Sequence, residues 1–107
     1  MKIQKVQYPD NSFYPLIILD NDEGILKKIF RLTFNINSYE DLWFLNQIKD
    51  TLDSMKIKCN LTIPCLLDAQ ADRRFLENSS ANLKLVCKFL NEMKWSSISI
   101  FHPHNQE

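Results

Sequence analysis

The chain has 107 residues, a length that suits one domain, 1–107, built around one core. Its 45% hydrophobic and 24% charged residues place it among globular chains and away from disordered, collagenous or membrane-spanning ones. Thirteen basic residues balance thirteen acidic ones, so bulk electrostatics favours neither nucleic acid nor an anionic membrane as a partner and does not oppose self-association.

In chain order, residues 2–7 (KIQKVQ) read as a first strand with Ile3 and Val6 as its apolar contributors. Tyr8-Pro9-Asp10-Asn11-Ser12 is a turn cluster, because proline presets φ and Asp and Asn bond the local backbone. Tyr14 to Leu19 follows as a second strand, and residues 20–24, ending in Gly24, form a reversal. Leu26 to Ile36 alternates cleanly: Phe30, Leu32, Phe34 and Ile36 point one way, and Arg31, Thr33 and Asn35 the other. The expected partner of this third strand is 14–19, in an antiparallel hairpin.

Ser38 is placed to cap a helix reaching about Met55, with Asp41 in its first turn. Leu42, Leu45, Ile48, Leu52 and Met55 form its core stripe, widened by Trp43 and Phe44. Such a helix is covered on more than one side, by the sheet or by a second subunit. Of the aromatics Trp43, Phe44 and Trp95, at least two are expected in the core. Ile57 to Ile63 reads as the next strand, and residues 68–78 as a polar loop. Ser79 or Ser80 is expected to cap a second helix over about 81–94, with Leu83, Val86, Cys87, Leu90 and Met93 on its core face. Ser97 to Phe101 completes the strands. A strand–helix–strand run of this length forms a right-handed parallel crossover. Strands 57–63 and 97–101 are therefore expected side by side, with the 68–78 loop and His104 leaving the same sheet edge.

Several residue groups could carry chemistry. Gly24 is the only glycine, which excludes the Walker loop and the dinucleotide fingerprint. Cys59, Cys65 and Cys87 lie in apolar runs without paired short spacing, so they read as buried reduced thiols; Cys65 next to a polar loop is also a conceivable nucleophile. Asp72-Arg73-Arg74 could hold phosphate through the planar guanidinium fork, or could be a solvated charge run. His102 and His104, flanking Pro103, could face one transition-metal ion, or could be exposed at a chain end. No apolar leader follows Met1, and no run approaches the roughly 20 residues of a membrane helix, which makes the cytoplasm the default expectation.

Three stretches together resemble the amino-terminal domain of ribose-phosphate pyrophosphokinases, the synthetases of phosphoribosyl pyrophosphate, and their phage-type members in particular. They are IPCLLDAQADRRF at 63–75, the helix beginning near SSANLKLVCKFL, and ISIFHPHN at 98–105. YPDNS at 8–12 occupies the place of the family's adenine-contacting turn, and the likeness extends over almost the whole chain. The resemblance implies an α/β fold: a three-layer, phosphoribosyltransferase-like, mostly parallel sheet with an amino-terminal β-hairpin and two main helices. It implies ATP contacts by Tyr8, Asp10, Asp72 and Arg73, and magnesium held with the help of His104. It also implies partners: ATP, a second copy, or a full-length synthetase.

The departures bear on activity. Gln70 and Ala71 stand where the family has arginine and glutamine, His102 replaces an aspartate, and Ser12 replaces a glutamate. The 107 residues contain no Thr-Gly-Gly-Thr segment for ribose 5-phosphate. Replacing Arg by Gln removes a charge-assisted phosphate contact of roughly 1.5–3 kcal/mol. Pyrophosphoryl transfer depends on positioning both substrates, so no synthetase activity is expected from these residues alone. A non-catalytic oligomerisation or regulatory module is the alternative expectation.

Overall fold

A computed structural model describes residues 1–20, 29–66 and 81–101. The amino-terminal run forms β1 (Lys2–Gln7) and β2 (Phe13–Ile18), an antiparallel pair in register from Lys2↔Ile18 to Gln7↔Phe13. The turn between them is tight. Asn11 N–H donates to Tyr8 C=O at 2.9 Å and Tyr8 N–H to Ser12 C=O at 2.8 Å, with Asn11 at φ 74°. Pro9 at the first corner and an asparagine in the left-handed region suit a type I turn closed by a bulge.

The third strand, β3 (Ile29–Thr33), pairs elsewhere. It lies parallel to β4 (Lys58–Ile63), from Ile29↔Lys58 to Thr33↔Thr62. The antiparallel pairing of 14–19 with 26–36 expected from sequence is thus not formed; β2 pairs with β1 instead. The physical reason is loop geometry. The Tyr8–Ser12 turn closes a hairpin at once, whereas β3 is followed by a helix that returns the chain for parallel pairing. The expected reversal at Gly24 lies outside the described residues.

That helix, α1 (Tyr39–Ser54), begins as the sequence predicts. Ser38 Oγ accepts from Asp41 N–H at 3.1 Å, and the Asp41 carboxylate in turn accepts from Asn37 N–H at 2.9 Å. It ends in a Schellman arrangement: Ile57 N–H bonds Leu52 C=O at 2.9 Å and Lys56 N–H bonds Asp53 C=O at 3.0 Å, with Lys56 left-handed at φ 59°. The second helix, α2 (Asn82–Glu92), leads into β5 (Ser97–Ile100), which lies parallel to β4 from Asn60↔Ser97 to Ile63↔Ile100. Its N-cap is Ala81, without a side-chain hydrogen bond; the serines expected to cap it lie outside the described residues.

Two sheets result, β1-β2 and β3-β4-β5, so the coarse α/β expectation holds. One face of the parallel sheet is apolar. Phe30, Cys59, Leu61 and Ile63 bury against Leu45, Ile48 and Leu52 of α1 and Val86 and Leu90 of α2 in a single cluster. On the opposite face Arg31, Thr33, Ser97 and Ser99 are exposed. The hairpin rests on α1: Phe13 meets Phe44 edge-on at 5.9 Å between centroids, and Phe34 closes on Phe44 at 6.3 Å. Lys5 pairs with Glu40 at 2.7 Å and sits 4.3 Å over the Phe13 ring. Helix α1 is therefore covered on two sides. Phe44 and Trp95 are buried, as expected of two of the three aromatics, while Trp43 and Met55 lie outside the core.

Candidate functional site at the carboxyl edge of the parallel sheet

Parallel pairing continues beyond the regular strands. Phe34 N–H donates to Thr62 C=O and Ile36 N–H to Cys65 C=O, each at 2.9 Å, and Ile36 bridges Leu66. On the other side Phe101 N–H donates to Ile63 C=O at 3.0 Å. The carboxyl ends of β3, β4 and β5 thus lie abreast, and α1 begins beside them. In open parallel sheets this edge is where ligands sit.

Of the residues singled out from sequence, Tyr8 and Asp10 fall within the description, and they share the β1–β2 turn. Ser12 donates to Asp10 Oδ1 twice, from its hydroxyl at 2.6 Å and its backbone N–H at 3.0 Å. These two bonds, the hydroxyl first, hold the Asp10 carboxyl below the usual range. Tyr8 is half-exposed, with its ring 5.8 Å from that of Tyr14. A hydrogen bond between the two phenols pushes the Tyr14 hydroxyl up. An aromatic face beside an ionised carboxylate suits a nucleoside that offers both a ring and hydrogen-bond donors. Asp72, Arg73, Gln70 and the pair His102 and His104 lie outside the described residues. The strands that precede those segments do end side by side, in register at Ile63↔Ile100.

The same edge holds Cys65, read from sequence as a conceivable nucleophile, and Asn37, which the sequence reading did not single out for chemistry. Cys65 Sγ donates to Asn37 Oδ1 at 3.3 Å, which ties the end of β4 to the residue preceding the α1 cap. Asn37 and Asp41 are absorbed by capping, and the Asn-Ser pair before an apolar-periodic run was the available signal. Cys65 is exposed, contrary to the expectation of three buried thiols, whereas burial pushes the Cys59 thiol up to about 11 and raises that of Cys87. Cys59 is thus a buried core sulfur, whereas Cys87 is only half-buried and, like Cys65, departs from the expected burial. Among the described residues no group of three or more His, Cys, Asp or Glu side chains is arranged to hold a metal ion, and no helix is long and apolar enough to cross a membrane.

Compared with models of protein families the chain has no match, and compared with curated proteins it has none either.

Proposed function

We propose that the chain is the ATP-side half of a ribose-phosphate pyrophosphokinase of phosphoribosyltransferase-like fold, binding nucleotide with magnesium without completing pyrophosphoryl transfer by itself. One observation carries this reading: β4 and β5 are adjacent and parallel, in register at Ile63↔Ile100. The strands that lead into segments 67–80 and 102–107 therefore end at one sheet edge. Asp72 and Arg73 are in the first and His104 in the second, as the resemblance requires of an ATP loop and a magnesium-linked histidine. In this reading Arg73 neutralises phosphate, Asp72 orients it, His104 helps hold the magnesium ion, and Tyr8 with Asp10 receives the adenine of an ATP bound to a neighbouring copy.

Isothermal titration of the chain with ATP and Mg²⁺ is the test. Saturable heat at millimolar nucleotide is expected, and Arg73→Ala reduces affinity about tenfold or more, the loss of one charge-assisted bond. No phosphoribosyl pyrophosphate forms from ATP and ribose 5-phosphate with this chain alone. Absence of heat at millimolar ATP·Mg²⁺ removes the binding claim, and product formation removes the claim of inactivity.

A second reading, a non-catalytic association module, is favoured by the outer face of β2. Tyr14, Leu16 and Ile18 alternate along it, and each is about two-fifths exposed. A row of apolar side chains on a hairpin already docked by its other face is a natural contact surface. Light scattering distinguishes the readings: a strict monomer that ignores a full-length synthetase counts against association.

A further inference from the structure

Helix α1 forms the floor of an open groove of about 490 Å³, walled on one side by Tyr14 and Pro15 of the hairpin and on the other by the end of α2. Trp43, Gln47 and Asp50 line it at helical spacings of four, three and seven, so they lie on one face of α1. Both helices run back from the carboxyl edge of the sheet, so the groove extends away from that edge, while its Tyr14 wall stands 5.8 Å from the Tyr8 ring.

Its chemistry is one-sided. Four charged residues line it: Lys49, Asp50, Asp53 and Glu92. Lys49 is taken up by an ion pair with Asp53 and lies 5.9 Å from the centre of the Trp95 ring. Asp50 and Glu92 have no cation partner among the described residues. Gln47 Nε2 donates to Phe13 C=O at 2.8 Å, and its Oε1 is buried beneath the floor, so neither atom of this amide meets a docked group. Beside the carboxylates Trp43 is 53% exposed where it lines the groove.

The geometry points to a docking site for an arginine-bearing segment of a partner polypeptide. A guanidinium is cationic, carries five N–H donors and no acceptor, and stacks on an indole face while its edge bonds carboxylate. Two unpaired carboxylates and an exposed tryptophan are complementary to that group and to no anion. The length of the groove favours a chain over a small cation. Its lining follows α1 from Trp43 to Asp53, ten residues or about 15 Å. This inference does not rest on the nucleotide reading, and either can fail without the other.

Blocked tri-arginine, titrated into the whole chain, is the test, read by tryptophan emission because Trp43 is exposed and Trp95 buried. A saturable change is expected, at least tenfold weaker with blocked tri-lysine or spermidine and absent with blocked tri-glutamate. The exposed-site variant D50N/E92Q is expected to bind at least tenfold more weakly, with its circular dichroism unchanged. Calorimetry on Trp43→Ala, which removes only an exposed side chain, is expected to show a similar loss. No saturable change at millimolar tri-arginine overturns the assignment. So does equal binding of spermidine or tri-lysine, or unchanged affinity in either variant.

Discussion

At the scale of single residues, the left-handed positions among the described residues are all built without glycine. Asn11, Lys56 and Lys94 all have φ near 60–75°. Asparagine tolerates this region through local hydrogen bonding, but lysine gains nothing there. Lys56→Gly is therefore expected to stabilise the protein by about 0.5–1 kcal/mol, the steric relief less the extra chain entropy of glycine. The urea midpoint should rise with the slope unchanged. This feature was not legible in the sequence. Turn reading weighs Gly, Pro, Asn and Asp; it found Tyr8–Ser12 and was blind to a lysine at a helix end. The exposure of Trp43 was equally hidden, because periodicity places it beside the core stripe of α1 while the groove leaves it uncovered.

At the scale of elements, caps and crossovers were the readable part. Ser38 and Asp41 announce the start of α1, and the structure contains both of their bonds. Ser38→Ala is expected to cost about 1 kcal/mol by urea denaturation, since Asp41 N–H then loses its acceptor. Strand partnership was read half correctly. The parallel neighbours β4 and β5 followed from the helix between them, because a crossover leaves the chain few alternatives. The hairpin partner of β2 did not follow, because two turn signals flank that strand, and alternation alone cannot say which one closes an antiparallel pair. The shorter Tyr8–Ser12 loop prevails, and β3 takes the edge beside β4.

At the scale of the whole molecule, α1 joins two sheets that share no strand pairing among the described residues. The hairpin is held through side chains: the Phe13–Phe44–Phe34 stack, the Lys5–Glu40 pair and the Gln47 amide on Phe13 C=O. A lone two-stranded hairpin is marginal in water, so these contacts determine whether it stays formed. Phe44→Ala is expected to destabilise the fold by about 3–5 kcal/mol. Amides of β1 and β2 should lose hydrogen-exchange protection before those of β3, β4 and β5. Equal loss in both sheets would mean that the hairpin is tied more firmly than its contacts suggest. The candidate site was legible at this scale as a location, the shared edge beyond β4 and β5, because topology follows from the order of elements. The groove on α1 was not, because it exists only once a hairpin and a second helix stand on either side of one helical face.

The order of strands along the chain carries a further consequence. β1 pairs with β2, β3 with β4, and β4 with β5, so among the described residues every strand finds its partner in a neighbour along the sequence. Of these strands none waits for a distant segment, and none must be inserted between two that are already paired. Search distances are short, and the loop entropy met before each pairing is small. A chain wired in this way can assemble from its amino terminus during synthesis, hairpin first and then one crossover after another. β2 then covers an edge of β1, β4 an edge of β3, and β5 the other edge of β4.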